Sequence, residues 1–323
     1  MKYSKIILLL SFLVPLIAKA QDPEFTQTMA SPMYFNPAFA GIQQNFRTSG
    51  QSRIQWPGVS GAFNTNTITA DIGFTKINSG VGLAYEHDQA GDEKWTTDAI
   101  SVFYAYEIKL GLGSYLRFGI NPSFFKRTID FSGLRFGDQI DPKTGFVYPT
   151  QEKLPGNGVY SSGLTPNFGS GALYYNSHIY AGVAVYNIFQ PSQSFFGNPN
   201  SVLYRRYDLQ GGGFIGLGKW NLNPNLLVMH QGNFTQALLG LNATIGMFTF
   251  GTSFRQTDPN ADALNFLVGF AKGKFKVCYS YDITVSDARA AAQGSHELSL
   301  VFQLNKPHDT TEKPMIGFLR GAF

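Results

Sequence analysis

Five histidines, His87, His178, His230, His296 and His308, are the first candidates for acid–base or metal chemistry. A zinc hydrolase would set two of them four apart on one helix, with a glutamate between. None has that spacing, and no carboxylate repeat lies beside them. Cys278 is the single cysteine, which excludes a disulfide framework and a thiolate metal cluster. It alternates with Lys276 and Ser280, as a small side chain on the polar face of a strand would, rather than a reactive thiol. Gly211, Gly213 and Gly216 match a dinucleotide-binding pattern literally, but they lie in an alternating segment with no helix after it. Glycines there ease strand curvature or close packing. Asp141 to Glu152 has acids at both ends of a calcium-loop pattern. Lys143 and Gly145 replace the middle ligands, and Phe146 stands where the loop requires Gly. Asp138 and Asp141 are left as a loose cation site at most. No nucleophile, base and orienting group fall at spacings that predict contact, so neither an enzyme, nor a cofactor, nor a bound metal is expected.

The elements that position these residues are strands. Period-two alternation, with apolar side chains on one face and polar or small ones on the other, runs through about fourteen segments. In 67–74, Ile68, Ala70, Ile72 and Phe74 oppose Thr67, Thr69, Asp71 and Gly73; in 248–255, Phe248, Phe250 and Phe254 oppose Thr249, Gly251, Ser253 and Arg255. The segments are 45–56, 63–74, 79–88, 95–108, 114–129, 167–176 and 178–188, then 202–217, 219–231, 233–244, 246–256, 261–271, 274–285 and 292–304. In 178–188 either Ile179/Val183/Val185 or Tyr180/Tyr186 could form the outer face. Every second connection is short, as at Lys76 to Asn78, Gly218 and Ala271 to Gly273, whereas the others include long loops near 130–166, 189–201 and 286–291. Short periplasmic turns and longer external loops are the asymmetry of outer-membrane barrels.

Composition agrees. Charged residues are 14% of the chain, against about 25% in ordinary soluble proteins. Aromatics reach 15%, with 29 Phe and 16 Tyr, yet after the leader there is no apolar run long enough for a transmembrane helix. A barrel reconciles the two, because only alternate residues face lipid. Met1 to Ala20 has the form of a cleaved export signal: basic Lys2 and Lys5, apolar Ile6 to Ala18, then Ala18-Lys19-Ala20. Its three lysines account for most of the formal +4, so the mature chain is near neutral and no nucleic-acid partner is expected.

Closure is a physical requirement, since unpaired backbone groups cannot be left in hydrocarbon. The fold expected is therefore all-β: a closed antiparallel transmembrane barrel over 45–304, with outer-membrane lipid around it. Asp71, Glu107, Arg117, Arg255, Lys276, Asp282 and Glu297 all fall on the polar face. Their mixed signs point to an internal ion-pair network more than to a single-sign ion filter. Small inward residues such as Gly80, Gly82 and Ala84 leave open whether the lumen is empty.

Two segments are richer than a barrel needs. The segment 21–44 runs from Gln21-Asp22-Pro23 through Asn36-Pro37-Ala38 to Gly41, mixing aromatics with turn formers. It is expected to pack at or in the lumen as a partial plug. The other is Phe136 to Glu152 in the longest external loop, with Asp138, Gln139, Asp141, Phe146 and Tyr148; long ordered loops more often bind than build.

On these two segments the chain resembles the PorP/SprF family of Bacteroidetes outer-membrane proteins, through Gln21-Asp22-Pro23, Asn36-Pro37-Ala38 with Gly41, and Asp138-Gln139 with Gly145 and Pro149-Thr150. The resemblance extends to about residue 304. The tail 305–323, expected in the periplasm, lacks the terminal Cys-Pro pair of many relatives. The resemblance implies a part in type IX secretion and gliding motility, beside other secretion components, and surface attachment of an exported adhesin-like protein through its C-terminal domain. It supplies no catalytic residues. External loops would hold that partner, with Phe136, Phe146, Tyr148, Phe195 and Phe196 as aromatic anchors. A channel or transporter for a small or hydrophobic solute is the alternative.

Overall fold

The computed structural model describes residues 22–304, apart from 93, 112, 142, 144, 146–147, 152–157, 195–200, 259–260 and 286–292. The expected export signal and the tail 305–323 lie outside the described residues. The first strands are β1 (Arg47–Gln55), β2 (Phe63–Phe74), β3 (Ser79–Ala90), β4 (Trp95–Gly111) and β5 (Ser114–Asp130). Next come β6 (Val159–Ser161), β7 (Thr165–Tyr175), β8 (Ile179–Tyr186), β9 (Arg206–Gly213) and β10 (Ile215–Leu217). The last are β11 (Trp220–Gln231), β12 (Phe234–Ile245), β13 (Phe248–Thr257), β14 (Ala261–Lys272), β15 (Phe275–Thr284) and β16 (Ser295–Gln303).

All neighbours pair antiparallel, and β16 returns to β1 from Arg47 opposite Gln303 to Gln55 opposite Ser295, so the sheet is closed. The wall has 14 strands because two of them are interrupted. β6 and β7 lie in line along the same side of β5, parted by a bulge at 162–164. β9 and β10 lie in line along β11, parted at Phe214. These two breaks are where the sequence expectation needs correction. The sixth strand starts at Val159 rather than at 167, and the eighth at Arg206 rather than at 202. Bulges at barrel rims locally break alternation, which hides a three-residue extension from a periodicity reading.

Turn chemistry sets the two ends apart. At Gly218, Gly246 and Gly273 a glycine of positive φ opens a two-residue hairpin loop, the conformation that fits the twist of paired strands. These and the connections at 75–78, 112–113 and 176–178 form the periplasmic end. The opposite end carries the loop from Phe131 to Gly158 and that from Asn187 to Arg205. Apolar side chains such as Ile68, Leu83, Ile100, Leu239 and Phe250 face outward and are exposed. In β8 the ambiguity resolves with Ile179 and Val183 outward and Tyr180 and Tyr186 buried inside.

Candidate functional site

The inside of the barrel is occupied by its own N-terminal segment, residues 22–46, here called the strap. Asp22 sits at the external end, where its backbone N–H donates to Gln231 and its carboxylate accepts from Asn187 and pairs with Arg206. Gly41 sits near the periplasmic end, where its N–H donates to Asp71 at 3.0 Å. The strap therefore runs down the lumen before the chain turns back into β1.

The strap is irregular backbone, and irregular backbone at membrane depth is tolerated only when protein satisfies it. The wall does so with side chains. Arg47 donates to the Met29 and Ala30 carbonyls, Arg117 to those of Ala38 and Ala40, and Arg206 to that of Tyr34. Gln210 donates to the Phe35 carbonyl, and Tyr186 to that of Met33 at 2.9 Å. Conversely, Glu297 accepts the N–H groups of Thr26 and Gln27 at 2.8 and 2.9 Å. Hydrogen bonds to charged groups each contribute roughly 1.5–3 kcal/mol. A set of them fixes one path for the strap.

The arginines are in turn paired with wall acids. Arg117 meets Glu107 at 3.0 Å, and Arg53 meets Asp282 at 2.8 Å and Glu297 at 3.2 Å. Arg255 joins Asp282, Asp262 and the strap's Glu24. The internal ion-pair network expected from mixed signs is present, with the strap built into it. Pairing of this kind offsets the cost of burying the charges. Cys278 is buried inside, as its place in the alternation indicated.

The motif Asn36-Pro37-Ala38-Phe39-Ala40-Gly41 makes the tightest contact. Asn36 caps a short 3-10 turn by accepting the Ala38 N–H at 2.9 Å, and Pro37 fits the first turn position because its missing N–H has no partner there. The same Asn36 amide donates to the Ala172 and Val183 carbonyls, tying the turn to β7 and β8. Opposite this turn, one register row reads Gly73, Gly80, Ala105, Gly119, Gly171, Ala184, one residue from each of β2, β3, β4, β5, β7 and β8. A Cβ on Gly80 would lie 2.0 Å from the Ala40 oxygen, and one on Gly119 only 2.3 Å from the Ala38 nitrogen. The row is a belt cut away to admit backbone. Sequence reading noted Gly80 as small and inward but missed the belt, because its members are far apart in sequence and meet only through register.

Above the belt the same wall is lined by Thr65, Thr67, Thr69, Ala84, Thr97, Ala99 and Ser101, and the strap leans away toward β11 and β12 through Phe25, Phe35, Leu227 and Leu238. The Thr, Ala and Ser side chains among these line a cavity of about 730 Å³ at the external half of the barrel, bounded also by Asp22, Pro23, Glu24 and Tyr34 of the strap and by residues of β7 to β9 and β11 to β14.

The loop residues expected to bind a partner are placed as follows. Phe136 is half-buried against Phe131, ring centroids 6.4 Å apart, and Tyr148 is 61% exposed. Asp138 accepts from the Thr150 hydroxyl and the Gln151 N–H, Gln139 accepts the Phe136 N–H, and Asp141 accepts the Lys143 N–H. Asp138, Gln139 and Asp141 thus brace the loop itself. Phe146, Phe195 and Phe196 lie outside the described residues. His87, His230 and His296 pair with Asp98, Thr235 and Tyr279, and His178 bonds Ser177 in a turn. Among the described residues no three His, Cys, Asp or Glu side chains converge as a metal site.

The fold is shared with solved barrels. The Pseudomonas putida toluene transporter TodX superposes with a TM-score of 0.53 at 6% identity, over 89% of this chain and 99% of that one. A TodX mutant described as a monoaromatic hydrocarbon channel gives 0.54 at 8% identity, over 87% and 95%. No curated protein matches the sequence. The model of the type IX secretion system membrane protein family PorP/SprF matches residues 17–302, which include the strap and nearly the whole barrel, and the chain belongs to that family.

Proposed function

We propose that this outer-membrane barrel holds a protein exported by type IX secretion at the cell surface, recognising its C-terminal domain through the external loops. Family membership makes it a secretion-system membrane protein rather than an enzyme family member. The observation that supports the finer role is the strap. It fills the periplasmic half of the lumen, so the chemistry the barrel can offer faces outward. The loops 131–158 and 187–205 rise from that face, with Phe136 and Tyr148 as aromatic contacts and Phe146, Phe195 and Phe196 proposed beside them. Asp138, Gln139 and Asp141 hold the first loop in shape. Further secretion components are the expected companions. Deleting 136–152 should release the partner from cells into the medium while the barrel still migrates differently before and after boiling. Unchanged retention overturns the assignment.

The second reading is a route for a small or hydrophobic solute of the kind the toluene transporter carries. The cavity at the external half of the barrel favours it. It needs the strap to leave the belt, against the bonds of Arg47, Arg117 and Arg206. Uptake of toluene that depends on the barrel would place this reading above anchoring.

A further inference from the structure

The 730 Å³ cavity has the size of a ligand pocket, and its charges are unevenly committed. Five carboxylates and two guanidiniums line it. Asp22 is bridged to Arg206, Glu24 to Arg53 and Arg255, and Asp262 to Arg255. Three charges are left over. Glu86 on β3 accepts no hydrogen bond and forms no ion pair among the described residues, and Asp88 accepts only from the Thr65 hydroxyl. Arg127 on β5 is 8% exposed, and its Nε and Nη1 have no hydrogen-bond partner. Its guanidinium lies 5.1 Å from the Phe125 ring centroid and 5.9 Å from that of Trp95.

Register explains why these charges form no direct ion pair. Asp88, Thr97 and Arg127 share one row on β3, β4 and β5, so a whole strand separates acid from base, about 10 Å between their strand axes. Buried donors without partners are costly to keep, which makes Arg127 a group waiting for an acceptor. Two uncommitted carboxylates against one guanidinium leave the slot short of positive charge. All wall strands are paired to neighbours, so a ligand cannot join as an added strand and must be read by its side chains.

We propose that the slot takes an extended peptide segment carrying a lysine or arginine, its cation between Glu86 and Asp88 and a backbone carbonyl on Arg127. The exported partner would supply that segment, and in this respect the inference rests on the anchoring role above. The Thr97, Ala99 and Ser101 side chains of β4, short and partly hydroxylated, leave room for peptide backbone between the charged groups.

Tryptophan reports the slot directly, since Trp56 and Trp95 line it and only Trp220 lies elsewhere. Purified full-length barrel in detergent is titrated with the end-blocked peptide Ala-Ala-Lys-Ala-Ala, with its norleucine counterpart and with maltohexaose. The lysine peptide should change the fluorescence saturably and the norleucine peptide should not. Glu86→Gln, checked for heat-modifiable migration, should weaken the lysine peptide at least about tenfold. Equal response to lysine and norleucine overturns the proposal, as does a response to maltohexaose alone. If the lysine peptide fails to bind while deletion of 136–152 still releases the partner, the slot assignment falls and anchoring stands. If it binds and the deletion changes nothing, anchoring falls and the slot stands.

Discussion

The two halves of the lumen are lined by small side chains for opposite reasons. In the periplasmic half, the belt from Gly73 to Ala184 is small because backbone already lies against it. In the external half, Thr97, Ala99 and Ser101 are small and line the slot. Small inward residues alone therefore do not tell a packed lumen from an open one. Arg47 and Arg117 aim at strap carbonyls below and Arg206 at that of Tyr34 above, whereas Nε and Nη1 of Arg127 have no acceptor among the described residues.

Substitutions can break or sharpen this contrast. The largest effect is expected from Arg117→Ala, which strips two strap carbonyls of their donor and leaves Glu107 buried without its ion pair. Breaking one side of a buried pair costs about 3–5 kcal/mol, and the loss should appear as a lower temperature for the boiling-dependent gel shift. Gly119→Val comes next. Its side chain would overlap the Ala38 backbone, and overpacking of this kind costs about 1–3 kcal/mol. The strap should become sensitive to added protease, while Thr97→Ala, in the slot wall, should leave protease resistance and gel shift within about 0.5 kcal/mol of wild type. If Gly119→Val and Thr97→Ala behave alike, the two halves do not differ as described.

Much of the wall was legible in the sequence. Alternation such as Ile68 and Ile72 against Thr67 and Asp71 states directly which face meets lipid, because that face tolerates no charge at depth. Gly218 and Gly273 mark the periplasmic turns because a two-residue hairpin loop requires the positive φ that glycine adopts freely. The break at Phe214 was not legible, since it follows from packing against the cluster around Phe39 and Tyr180, contributed by the strap and β8. The belt was hidden likewise: Gly80 and Gly171 become one row only when β3, β4, β5 and β7 take their register. The motif Asn36-Pro37-Ala38 could be singled out for its turn chemistry, but its docking partners are glycines, which a sequence offers no reason to rank. The loop aromatics were chosen by type alone; of these, Tyr148 is exposed, whereas Phe136 leans on Phe131.

We propose that the barrel is sealed by its own N-terminal segment. Single-channel recording in planar bilayers tests it most directly, comparing the wild-type chain with a variant lacking residues 24–41 that still shows the boiling-dependent shift. Wild-type protein should give no steady conductance and the shortened variant should give open, long-lived steps. Steps of the same size from both proteins would contradict the seal.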